Sequence, residues 1–225
     1  MLIDHIGMIF FPDNAVLRIL GRISMPLFAY SVSRGFYYTN KKGALDKYIK
    51  RLALFSIVSQ LPYSLTMYLL DSNPSTLNIG FTWFLGLVFL FCAVKGVSDK
   101  KRIHKFLFIV GACLCILLPL LLDMSYGISG ILYPCSFYFL CYRNDTVAEK
   151  SPNIGHLILC VTLLSTIYII ETHWLIQFFS ILAIPVLLFA REYDDLIKLP
   201  KAFFYIFYPL HISVLITIWY VINTF

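Results

Sequence analysis

The chain has 225 residues, 60% of them hydrophobic and 13% charged, with a mean hydropathy of +0.80 and a formal net charge of +6. That composition excludes a soluble globular domain and a disordered tail alike, and at about 20 residues per crossing it leaves room for roughly eight or nine membrane spans. The expected fold is therefore all-α: a polytopic membrane helix bundle forming one domain over residues 1–225.

Apolar runs bounded by turn residues place helices near 1–12, 15–37, 48–70, 77–97, 104–122, 125–142, 153–171, 173–190 and 202–224, about nine in all. The first is short: at 1.5 Å per residue it covers about 18 Å, against a hydrocarbon core of about 30 Å. It is either a half-span or the visible part of a longer natural helix, and the second is expected. Residues 1–12 lack a basic front end and a small-residue cleavage site, so no cleavable signal peptide is expected. In the third run Gln60-Leu61-Pro62 predicts a helix broken in mid-membrane, which is tolerated beside protein or a wet cavity.

Most of the 18 basic residues fall in alternate connections: Lys41, Lys42, Lys47, Lys50 and Arg51; Lys100, Lys101, Arg102 and Lys105; Arg143 and Lys150; Arg191, Lys198 and Lys201. The intervening turns carry none, and that rim bears Asp13, Asp71, Asp123 and Glu171. By the positive-inside rule the basic connections are cytoplasmic. The expectation is a multi-pass protein of the plasma (inner) membrane, N-terminus cytoplasmic and C-terminus extracytoplasmic. The positive charge then reflects topology and the lipid bilayer rather than nucleic acid. The six cysteines lie in apolar stretches, where cysteine acts as a small hydrophobe. Cys113-x-Cys115 lacks a matching Cys/His partner motif, so neither a metal site nor a disulfide framework is expected.

An ionised group in hydrocarbon costs roughly 2.5–3.5 kcal/mol on insertion scales, so it is usually paired, facing a cavity, or working. Asp4, His5, Arg18 and Arg22 are such groups. Counted from the turn Phe11-Pro12-Asp13-Asn14, His5 lies about 9 Å and Arg22 about 12 Å below the outer rim. Arg18 and Arg22, four apart, share a helix face as one cationic patch. Asp4 is the counterion for one of them. Neighbours on a helix point about 100° apart, so Asp4 and His5 do not form a direct dyad. His211, two residues after Pro209, is expected near the midplane, whereas His104, His156 and His173 read as interfacial. Gln60, Tyr63, Asn78 and Thr82 are further deep polar groups. They suit either a lined pocket or interhelical hydrogen bonding.

The segments MLIDHIG (1–7), GRISMPLFAY (21–30), RGFYYT (34–39), RLALFSIVSQLPY (51–63), NIGFTWFLGL (78–87), SYGISGIL (125–132) and FFYIFYPLH (203–211) together resemble the TraX family, in order and at similar spacing. The family is named for a protein that acetylates the N-terminal amine of F pilin, and is distantly similar to polytopic transmembrane acyltransferases. The resemblance implies acetyl transfer from acetyl-CoA as acyl donor to a peptide amine, glycan or lipid at the outer side. Members usually carry a dozen or more residues ahead of the Asp-His pair, and many read Asp-Tyr-Gly where this chain has Ser125-Tyr126-Gly127.

Acyl transfer needs an acceptor relieved of a proton and a stabilised oxyanion. The expected roles are His5 as general base, Arg22 for the developing charge, Asp4 as orienter of the arginines, and His211 as alternative base or relay. Arg18, Gln60, Tyr63 and Asn78 are expected toward the acceptor. Arg34, Lys41, Lys42 and Arg51 stand at the cytoplasmic rim for the phosphates of coenzyme A, a patch that orientation signalling also explains. A small permease or a non-catalytic pilus or surface assembly factor are the alternatives.

Overall fold

The structure is a computed structural model that describes residues 1–141, 154–173, 175–192 and 201–224. Helix α1 (Leu2–Phe10) turns at Phe11-Pro12-Asp13 into α2 (Ala15–Arg22), which Asn14 caps by accepting from the backbone N–H of Val16 and Leu17 at 3.1 and 3.4 Å. The run expected as one helix over 15–37 is interrupted at Ile23, and α3 (Ser24–Lys41) follows. Pro26 explains the joint, since its ring displaces the carbonyl four residues back, that of Arg22. Ser24 Oγ donates to Gly21 O at 2.7 Å, taking up a carbonyl at the joint.

Helix α4 (Leu45–Leu69) corrects the expectation of a break, because it passes through Pro62 without interruption. The hydroxyl of Thr66 donates to Pro62 O at 2.8 Å one turn on. The chain continues through α5 (Ile79–Ser98), α6 (Arg102–Leu121), α7 (Gly127–Cys141), α8 (Ile154–Thr172), a 3-10 segment (Leu175–Leu182), α9 (Ala183–Glu192) and α10 (Lys201–Thr224). The helix expected over 173–190 is thus half 3-10. Pro185 stands at the third position of α9, where no N–H is required.

Six segments among the described residues are long and apolar enough to cross a membrane: Ala15–Lys41, Leu45–Leu69, Ile79–Ser98, Arg102–Leu121, Ile154–Thr172 and Ala202–Thr224. Gly127–Cys141 and Leu175–Phe189 are apolar but shorter, as is α1, so six of the expected nine runs reach crossing length. The connection 142–152, with Arg143 and Lys150, and most of 190–201 lie outside the described residues.

The core is built where α3, α5 and α7 meet, around Phe36, Leu87, Ile131, Tyr133 and Phe137, each fully buried. Gly86 permits this approach: a Cβ there would stand 3.1 Å from Ile131 O. Helix α6 packs on α5 and α7 and buries only Cys115, while Leu107, Leu114 and Leu121 are exposed, which suits a lipid-facing helix.

Gln60 and Asn78 pin α4 to the start of α5. Asn78 is fully buried, donates to Ser56 O and Gln60 Oε1 at 2.8 Å each, and accepts from Gly80 N–H at 2.7 Å. Gln60 also accepts from Asn78 N–H at 3.0 Å and donates to Thr76 O at 2.9 Å. Asn78→Ala orphans several of these groups at once, each worth about 1–3 kcal/mol when left buried. The expected result is a clear drop in thermal midpoint, read by scanning fluorimetry in detergent.

Candidate functional site

Two glycines let α1 and α2 close into a tight hairpin. A Cβ on Gly7 would stand 2.9 Å from Leu17 Cβ, and one on Gly21 would collide with the Asp4 side chain. Asp4 is thereby pressed against the face of α2 that carries Arg18 and Arg22. Arg22 Nη2 donates to both carboxylate oxygens at 2.5 and 2.6 Å. Arg18 Nη1 lies 2.9 Å from Oδ1 and donates to the Asp4 backbone carbonyl at 3.1 Å. One carboxylate therefore serves both guanidiniums: Asp4 contacts the pair it was expected to orient, and is counterion to both arginines where one was expected. Both arginines are buried, Arg22 to 3% exposure. The other end of Arg22 donates through Nη1 to Tyr126 Oη at 3.0 Å and to Gln177 Oε1 at 3.5 Å.

His5 points elsewhere, as the helical angle between neighbours requires. Its Nδ1 lies 2.8 Å from Nε2 of His211 on α10, and His211 Nδ1 lies 2.6 Å from the backbone carbonyl of Phe207. A carbonyl only accepts, so His211 donates from Nδ1, and with both rings neutral its Nε2 holds a lone pair. His5 must then donate from Nδ1, which leaves the second nitrogen, Nε2, as a base. The two rings are stacked, with centroids 5.0 Å apart at 25°. The stack extends along α10 through Phe207, 4.8 Å from His211, to Phe203, 5.4 Å further on. An aromatic column thus runs from near the start of α10 to His5.

Asp4, His5, Arg18 and Arg22 form one side of a cavity of about 580 Å³. Tyr63, Trp83, Tyr126, Tyr168 and Tyr208 line it further, with Asp123 and Glu171 toward the surface. His211 backs His5 from behind and does not line the cavity. Of the other residues expected at a substrate, Tyr63 borders the cavity and shares a hydrogen bond with Ser125 Oγ at 2.9 Å. Gln60 and Asn78 do not border it. Their hydrogen bonds go to one another, to neighbouring backbone and, from Gln60, to Ser64 Oγ, the packing alternative for these residues.

Arg34, Lys41, Lys42 and Arg51 are also absent from the cavity wall. They sit around the turn between α3 and α4, with Arg34 over the Tyr38 ring at 5.6 Å and Lys41 over Tyr37 at 5.7 Å. Sequence reasoning missed Tyr126 and Gln177 as partners of Arg22. Gln177 carried one usable signal, as a lone amide in the apolar run 175–190.

The chain is 30% identical over 91 residues to an uncharacterized protein of Rickettsia prowazekii (strain Madrid E), a stretch that covers 40% of this chain and 32% of that protein. It is 28% identical over 115 residues to a probable fimbrial assembly protein, serogroup H1, of Dichelobacter nodosus, covering 46% of each. The chain thus spans a third to a half of the length of these curated relatives. No solved structure matches it. The family described as TraX protein matches residues 1–219, a stretch that takes in the arginine–aspartate cluster and both facing histidines, and the chain belongs to that family.

Proposed function

We propose that this polytopic membrane protein is an acetyltransferase that moves an acetyl group from cytosolic acetyl-CoA to an amine or hydroxyl across the inner membrane. The observation that carries the reading is the hydrogen-bonded sequence Phe207 O, His211, His5, which fixes a lone pair on His5 Nε2 in a ring that lines the cavity. His5 takes the acceptor's proton as the acceptor's lone pair bonds to the thioester carbonyl carbon. The carbon–sulfur bond then breaks, and His5 returns that proton to the departing thiolate. Asp4 holds Arg18 and Arg22 in place, and two guanidiniums against one carboxylate leave a net positive charge beside the reacting centre.

In this reading the basic connections face the cytosol and the Asp123–Glu171 end faces outward. The phosphates of coenzyme A stay at Arg34, Lys41, Lys42 and Arg51, because they do not enter lipid. The Phe203–Phe207–His211 column gives the acyl arm an apolar track from that rim toward His5.

The likeness to a probable fimbrial assembly protein directs the search for an acceptor to fimbrial or pilin subunits. The same likeness favours, as second reading, an assembly factor without chemistry. Purified protein given radiolabelled acetyl-CoA, an apolar helical peptide with a free N-terminal amine, and a polyprenyl-linked sugar separates the two. Label on either acceptor supports the transferase. A fimbrial assembly defect in a deletion strain, with no label transferred, supports the assembly factor.

A further inference from the structure

We infer that the hydroxyl of Tyr126 is the donor that stabilises the oxyanion of the reaction. The inference rests on the acetyltransferase reading and adds a directed hydrogen-bond donor to the arginines' net positive charge, since Arg22 Nη1, Arg22 Nη2 and Arg18 Nη1 already have partners. Arg22 Nη2 is spent on both oxygens of Asp4, and Nη1 on Tyr126 Oη and Gln177 Oε1. Arg18 Nη1 is spent on Asp4 twice over, at its carboxylate and at its backbone carbonyl.

The hydrogen bond from Arg22 settles the polarity at Tyr126. A guanidinium only donates, so the phenol oxygen accepts, and the phenol's own hydrogen must point elsewhere. Among the described residues it meets no acceptor, and Tyr126 lines the cavity that holds His5. An O–H polarised by a bound guanidinium is a stronger donor than an ordinary phenol. It is the group that can face a developing negative charge while Arg22 stays with Asp4.

The backbone at Tyr126 points the same way. Tyr126 has φ 64° and the next residue, Gly127, φ 43°. A bulky residue in the left-handed region costs of order 1–3 kcal/mol and persists only where its surroundings over-determine it. Here they do. Ser125 N–H donates to Leu77 O at 3.0 Å, Thr82 Oγ1 to Ser125 O at 2.5 Å, and Gly130 N–H and Ser129 Oγ to Tyr126 O at 2.8 Å each. The ring is held against Tyr168, with centroids 5.0 Å apart. These hydrogen bonds fix the turn that sets the Tyr126 ring in the cavity wall.

In the proposed step the acceptor's lone pair adds to the carbonyl carbon and the carbonyl π pair moves to oxygen. That oxygen receives a hydrogen bond from Tyr126 Oη–H while His5 Nε2 takes the acceptor's proton. When the pair returns and the carbon–sulfur bond breaks, the tyrosine keeps its proton.

Tyr126→Phe tests this with the acetyl-CoA and peptide assay. The expected result is a fall in kcat of about 100-fold, the size seen for loss of one oxyanion donor, with KM for acetyl-CoA within about twofold of wild type. Fluorotyrosines introduced at position 126 keep the ring and the hydroxyl, and kcat is expected to rise as the phenol becomes more acidic, up to its ionisation. Wild-type kcat in Tyr126→Phe, or a kcat indifferent to phenol acidity, overturns the assignment while leaving the transferase intact. The fluorotyrosine series decides alone if the phenylalanine variant does not fold. No transfer by the wild-type protein to any acceptor sinks both readings together.

Discussion

His5→Ala is expected to abolish acetyl transfer, by about 10²–10⁴-fold, while the bundle stays folded. The size follows from removing the ring whose Nε2 is left basic by the His211 hydrogen bond. The fold is expected to survive because His5 is held by one hydrogen bond and by ring contacts, not by an ion pair. His211→Ala should cost less, since it removes the group that orients the base and not the base itself. Exogenous imidazole is expected to restore part of the His5→Ala activity and none of the His211→Ala deficit. Full transfer by His5→Ala, measured against equal amounts of folded protein by size-exclusion chromatography, would remove His5 from the mechanism.

Asp4→Ala is expected to fail at an earlier stage, before any assay of transfer. Breaking a buried pair by removing one partner costs about 3–5 kcal/mol, because it strands the other charge. Here the one removal takes the shared carboxylate from Arg18 and Arg22 together. The yield of monodisperse protein should collapse, and what survives should unfold at a lower temperature. Replacing Asp4, Arg18 and Arg22 together by leucine or methionine is expected to recover yield, since apolar residues of similar volume often match or exceed a buried ionic cluster in stability. It is expected to recover no transfer. Normal yield from Asp4→Ala alone would show that the cluster is dispensable to folding and contradict the burial argument.

The membrane character, the helical class and the local hairpin of Asp4, Arg18 and Arg22 were legible in the sequence because they depend on short-range quantities. Apolar run length reads out spans, and a four-residue spacing places two arginines on one face. Counting from the turn also drew His5 and Arg22 toward one another, and both line one cavity.

What was not legible depends on which faces meet. His5 and His211 are 206 positions apart, and the sequence left His211 as alternative base or relay without showing that the two rings are hydrogen-bonded. Tyr126 lies in a quoted motif, yet nothing in one sequence shows that Arg22 reaches it. Gln60 and Asn78 were deep, but a buried amide reads the same whether it lines a cavity or bonds to a neighbouring amide. Pro62 misled in the other direction: a proline inside a 25-residue helix does not have to end it. Pro26, which received no such attention, marks the real joint at Ile23.

The charged cluster and the imidazole pair are completed at different stages of synthesis. Asp4 meets its arginines across separations of 14 and 18 residues, so a nascent chain can neutralise these costly groups once the α1–α2 hairpin has been made. His5 waits for the last described helix before its ring is oriented. A polypeptide released after α9 would be an electrostatically settled insertion product whose proposed base lacks its orienting partner, and full competence would arrive only with α10.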